Sequence, residues 1–75
     1  MAKRNDRYIK TIANAFKERR NALGLGQQHI ADKSEMTIMS YNRIENGKVD
    51  IRLSTLHELM KALKFPDLEK ILKSV

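Results

Sequence analysis

The amino-acid sequence predicts an all-α fold, and three observations carry that prediction. Apolar residues recur three and four apart along most of the chain, the spacing of a single helix face. Helix punctuation separates these stripes, with Gly24, Asn46-Gly47 and Pro66 falling where one ends or the next begins. The stretch Gly26–Lys48, GQQHIADKSEMTIMSYNRIENGK, reads as two short helices joined by a tight turn.

Residues 1–7 show no periodic apolar pattern and are expected to form a loose basic arm ahead of one domain, residues 8–75. The first helix is predicted from Tyr8 to Leu23, with Ile9, Ile12, Ala13, Phe16 and Leu23 inward. Gly24 ends it, because glycine takes the left-handed conformation after a helix at little cost. Leu25 then plugs the core. Gly26 is the N-cap of a second helix, Gln27–Lys33, whose apolar pair is Ile30 and Ala31. After the break Ser34-Glu35-Met36, Thr37 is the candidate N-cap of a third helix running to about Asn46. Tyr41 and Ile44 lie on its buried face.

Past Gly47, an extended connection leads to a fourth helix, Leu53–Lys64, with Leu56, Leu59, Met60 and Leu63 inward. Ile51 and Leu53 are expected to tuck under the domain. Phe65 plugs the core again, and Pro66-Asp67 opens a fifth helix, whose first turn needs no N–H from proline. Leu68, Ile71, Leu72 and Val75 form its stripe.

Seventy-five residues hold one domain and little room for a deep catalytic cleft. No nucleophile elbow, phosphate loop or pair of acids on one face is present, so the chain offers no enzyme site. The absence of cysteine removes any disulfide framework, thiolate zinc site or cysteine nucleophile, and it is compatible with a reducing cytoplasm. His29 and His57 stand on different helices without carboxylates at ligand spacing, so neither a metal nor another cofactor is expected. No apolar run approaches the length of a membrane span, and the N-terminus lacks a signal-peptide core.

The net charge of +6 is unevenly placed. Lys3, Arg4, Arg7, Lys10, Lys17, Arg19 and Arg20 face only Asp6 and Glu18 within residues 1–24, a local net of +5. A basic block of this kind suits phosphate attraction, although charged side chains on a helix also serve solubility alone. It adjoins two short helices at a sharp angle, the second with one buried stripe and one free face. That arrangement is the device that lays a helix in the DNA major groove.

The ordered set Phe16, Arg20, Gly24-Leu25, Gln27, Ile30-Ala31, Lys33, Thr37, Arg43-Ile44-Glu45, Gly47-Lys48, Leu53, Thr55-Leu56 and Ala62-Leu63 resembles the phage-repressor helix-turn-helix family (Cro/cI-type, lambda-repressor-like, XRE). The likeness covers roughly Ile12–Phe65, without a gap from Gln27 to Gly47. It implies a compact five-helix domain of a bacterial or phage-type, cytoplasmic regulator that binds double-stranded DNA. The resemblance places Thr37, Ile38, Met39, Asn42 and Arg43 at base edges. Asn42 has amide chemistry suited to adenine, and Arg43 suits either the guanine edge or a phosphate. Gln27, Gln28, Asn46 and Lys48 are the implied phosphate contacts. Arg20 and Glu45 are the implied ion pair between the first and third helices.

Departures from the family pattern are local. Ile38 and Met39 stand where polar readers are common; they can pack on thymine methyls but cannot donate to bases. Alternatively Ile38 turns inward, or the apolar pair holds a protein. Glu35 replaces the usual turn glycine, at a cost on the order of 1 kcal/mol, which suggests a remodelled turn. Lys64 stands where a helix-ending glycine is usual.

Two function classes follow. The first is a transcription regulator, expected to be a repressor acting as a homodimer on an inverted repeat. Leu68, Ile71, Leu72 and Val75 are the expected dimerisation stripe, and two reading helices would lie one DNA turn apart. The second is a protein-interaction module, such as an antitoxin or a restriction-modification controller, with DNA binding as autoregulation. No small-molecule ligand is legible.

Overall fold

A computed structural model describes residues 6–72, for Leu72 the backbone only. The chain forms α1 (Asp6–Ala22), α2 (Gln27–Lys33), α3 (Ile38–Glu45), α4 (Leu53–Ala62) and α5 (Leu68–Leu72). No strand occurs among the described residues, and none of their helices is long and apolar enough to cross a membrane. Every helix supplies the core: Phe16 from α1, Ile30 and Ala31 from α2, Tyr41 and Ile44 from α3, Leu59 from α4 and Ile71 from α5. Leu63, just past α4, completes it. A fully buried side chain of this size contributes about 1.5–3 kcal/mol relative to exposure. The helices therefore depend on their shared core more than on their own short lengths.

One device ends four successive helices. The third residue past each helix donates its N–H back to a carbonyl five residues earlier: Leu25 to Arg20 (3.1 Å), Met36 to Ala31 (3.0 Å), Lys48 to Arg43 (3.0 Å) and Phe65 to Met60 (2.9 Å). This is the Schellman arrangement, which needs a left-handed residue just before the donor. Gly24 (φ 71°) and Gly47 (φ 67°) supply it without strain, whereas Glu35 (φ 55°) and Lys64 (φ 59°) carry side chains in the same conformation. The expected remodelling of the Glu35 turn does not occur; the ordinary turn is kept and the strain accepted. Leu25, Met36 and Phe65 are partly buried against the core, so each reversal also drives in an apolar plug. Lys48 breaks that pattern, being exposed.

Helix boundaries differ from the sequence expectation for identifiable reasons. α1 begins at Asp6, not Tyr8, and a carboxylate in the first turn favours the positive end of the helix dipole. Arg7 is therefore helical, while residues 1–5 of the expected arm lie outside the described residues. α5 begins at Leu68, because the Asp67 carboxylate accepts the Lys70 N–H (3.0 Å) as an N-cap and leaves Pro66 before the cap. Ile51 is half-buried against the core, but Leu53 is 79% exposed and does not tuck under the domain. It stands on the first turn of α4, one turn ahead of Leu56.

Relieving the two strained turns tests this account. Glu35→Gly and Lys64→Gly should each stabilise the protein, by about 0.5–1 kcal/mol once the extra unfolded-state freedom of glycine is subtracted. Urea denaturation midpoints measure it. A loss of stability would mean that the side chains make compensating contacts.

Candidate nucleic-acid interface

The interface is organised by a carboxylate that the fold buries. Glu45, last residue of α3, is among the buried residues, and a buried charge must be met by charge and hydrogen bonds. Arg20 of α1 meets it with two parallel bonds: Nε donates to Oε2 (2.6 Å) and Nη2 to Oε1 (3.0 Å). Its third nitrogen, Nη1, donates to the Leu25 carbonyl (2.9 Å), so the guanidinium also pins the turn into α2. Burial alone would raise the Glu45 pKa; the hydrogen bonds from Arg20, the nearby Tyr41 hydroxyl and the hydrogen bond from Gln27 outweigh it and hold the carboxyl below its ordinary 4.5. Burial, with the adjacent carboxylate, pushes the Tyr41 phenol far above its usual range. Its hydroxyl lies beside the pair without forming a regular hydrogen bond.

From this pair a relay of amides runs outward. A carboxylate only accepts, so Gln27, first residue of α2, turns its amide nitrogen to Glu45 Oε1 (3.0 Å). The Gln27 carbonyl then faces the other way and accepts from Asn42 Nδ2 (3.2 Å). Asn42 Oδ1 in turn accepts from Asn46 Nδ2 (3.0 Å). The ionised carboxylate thereby sets which atom each amide presents. Gln27, Asn42 and Asn46 join the start of α2 to the middle and the C-terminal end of α3.

The rest of that surface is open. Ile38 and Met39 are 44% and 66% exposed, so Ile38 does not join the buried face. Arg43 is exposed, and its side chain forms no hydrogen bond or ion pair among the described residues. The Thr37 hydroxyl is committed to capping: it accepts the Ser40 N–H (3.1 Å) and donates to Ser40 Oγ (3.0 Å). One lone pair and the methyl group remain. Gln28 is turned back along α2, donating to Asp32 Oδ1 (2.7 Å). Lys48 stands just past α3, where the other Schellman turns place an apolar plug.

Two members of the basic block have structural work that spacing did not reveal. Arg19 donates from Nε to the Leu63 carbonyl (3.0 Å) and from Nη2 to the Lys64 carbonyl (3.2 Å), with its guanidinium 5.7 Å from the Phe65 ring centroid. A cation over the last carbonyls of α4 complements that helix dipole. Arg19 and Arg20 are thus withdrawn from the exposed block. Lys10 moves the other way. Its Cγ lies 3.5 Å from where a Gly47 side chain would begin, which lays it against the end of α3 near Asn46. Lys10, Asn14, Lys17 and Asn46 line an open depression of about 790 Å³ there. The sequence offered no signal for this closeness, which depends on how α1 packs on α3.

The expected dimerisation stripe is divided. Ile71 is 1% exposed, committed to the protomer's own core, and therefore withdrawn from any interface; Leu68 is 38% exposed. Val75 and the side chain of Leu72 lie outside the described residues. Among those residues no cluster of three or more histidines and carboxylates could hold a metal ion.

A family profile described as helix-turn-helix matches residues 16–70, which span α2, α3 and α4 with their flanks. The chain belongs to this family, the XRE and lambda-repressor-like helix-turn-helix proteins. It is a DNA-binding regulator of that type. No curated protein matches the chain significantly.

Glu45→Gln should lower stability at neutral pH by about 3 kcal/mol or more, since it strands the Arg20 charge. A carboxylate with a depressed pKa stabilises above its unfolded value and loses that contribution as pH falls through its folded value. Wild type and Glu45→Gln should therefore converge in urea stability as the pH drops well below 4.5. Parallel curves would show that the carboxylate is not the paired species.

Proposed function

We propose that the protein is a repressor that binds an inverted-repeat operator as a homodimer, with α3 in the major groove. The observation that carries this reading is the division of α3 into two faces. Tyr41, Ile44 and Glu45 are buried, while Ile38, Met39, Asn42 and Arg43 are exposed together on a helix fixed by a charge network. Asn42, with its amide orientation set by the relay, offers a remaining N–H and lone pair to an adenine edge, and Arg43 offers its fork to guanine. Lys48, Asn46 and Gln27 hold phosphates, joined by Lys10 beside Gly47. Repression follows from occlusion of the polymerase.

Exposed Ile38 and Met39 give a second reading its support: a module that holds a protein, as an antitoxin or restriction-modification controller does, and binds DNA to regulate itself. On DNA the same two side chains read base methyl groups instead.

Fluorescence anisotropy on DNA enriched from a random pool, against a scrambled duplex, separates these readings. A sequence-reading regulator discriminates by about 10³ or more. Equal, steeply salt-dependent binding to both duplexes would favour the protein-holding module. Within an enriched site, replacing a contacted thymine by uracil should weaken binding about fourfold per methyl, from about 0.8 kcal/mol per buried methyl-sized group. Ile38→Ala with Met39→Ala should erase that difference. Lys48→Ala should weaken binding equally on all sequences and reduce the salt slope by about 1.

A further inference from the structure

We propose that Asp50–Leu53, the connection entering α4, is a self-complementary surface that binds a second copy of this chain; the inference rests on the dimeric reading above and assigns its interface. Leu53 is the most exposed large apolar residue described, standing clear at the start of α4. Close by in the sequence, Ile51 and Leu56 with Tyr8, Ile9 and Ile12 line a small cavity of about 80 Å³, with Asp50 at its side. At roughly 30 Å³ per water, that volume suits the branched end of one leucine side chain and little more. A chain that carries both an apolar knob and a hole of matching size can exchange them across a twofold axis.

Charge selects a copy of the chain over another protein. Asp50 and Arg52 flank Ile51 in an irregular, non-helical stretch. Ile51 is half-buried against the core, and both charged neighbours are exposed. Neither forms an ion pair or side-chain hydrogen bond among the described residues. A twofold axis beside Ile51 sets Asp50 against Arg52 of the partner subunit and Arg52 against Asp50 of the partner subunit. Opposite charges two residues apart make the segment its own complement.

The position also fits the DNA geometry. Half-sites one turn apart put each reading helix about 17–18 Å from the axis. From the middle of α3 to its end is about 6 Å. The six residues from Glu45 to Ile51 span at most about 20 Å more. An axis beside Ile51 is therefore within reach. α5 is a poorer seat, with Ile71 turned into its own core.

Sedimentation equilibrium, on the free protein and without DNA, tests the surface. Asp50→Arg and Arg52→Asp should each weaken self-association by more than about tenfold, because each sets like charges face to face. The double exchange, Asp50→Arg with Arg52→Asp, should restore the dimer, and an equal mixture of the two single variants should associate. Leu53→Glu should give a folded monomer whose thermal midpoint no longer changes with protein concentration, and Leu68→Glu should leave the dimer intact. A monomeric wild type, indifference to single charge reversal, failure of the double exchange to restore association, or dissociation by Leu68→Glu alone would each overturn the proposal. Sequence discrimination on DNA is measured separately, so a protein that reads DNA through another interface is distinguished from one that does not read DNA.

Discussion

Burial of the Glu45 carboxylate at the end of α3 is the constraint on which the rest of the candidate interface depends. A charge in that position requires a cation, and Arg20 reaches it from α1 with both donors aligned. Once that pair exists, α1 and α3 have one relative placement, and the remaining Arg20 nitrogen draws in the turn before α2. The carboxylate then determines the orientation of Gln27, which determines that of Asn42, which determines that of Asn46. Such a pair adds less to stability than its distances suggest, because desolvation offsets much of the attraction. Its contribution is geometric: polar atoms on an exposed helix are held in fixed roles before any ligand arrives, so less ordering is needed on binding.

The helix ends express a second constraint. A small domain of short helices needs several chain reversals, and here four of them share one hydrogen-bond pattern. At three the donor residue is an apolar plug, so reversal and core filling are accomplished together. At the end of α3 the donor is Lys48, and its carbonyl partner belongs to Arg43. Apolar packing is given up at the one turn that leads off α3, where a lysine stands instead. Glu35 and Lys64 show the opposite choice, with strain tolerated where the side chain stays in solvent.

Much of this was legible in the sequence because it is local. Phe16, Ile30, Leu59 and Leu63 could be assigned inward from helical spacing, and the turn at Gly24 or the cap at Thr37 depends on a few adjacent residues. Arg20 and Glu45 were recognisable as a pair through family resemblance, not through spacing. What escaped depends on packing between distant segments. Arg19 looked like one more cation until α4 placed two carbonyls before it. Lys10 could be associated with Gly47 only once α1 lay across α3. Leu53 obeys the periodicity of α4 and is exposed nonetheless, since periodicity says which way a residue points and not whether anything lies there. Ile71 belongs to a stripe expected to cover the bottom of the core first and to leave some surface for a partner, and the core takes Ile71 entirely.

The central claim is that the charge network positions the proposed reading surface and does not merely hold the fold together. Replacing both charges at once, Arg20→Met with Glu45→Leu, separates the two roles, since an apolar pair of similar volume is often neutral or stabilising by about 1–4 kcal/mol. The measurement is the ratio of affinities for enriched and scrambled DNA, taken alongside the urea midpoint. The account predicts a folded protein of near-wild-type stability whose discrimination has collapsed, because Gln27 and Asn42 have lost the group that oriented them. A double variant that remains stable and discriminates as well as wild type would contradict it.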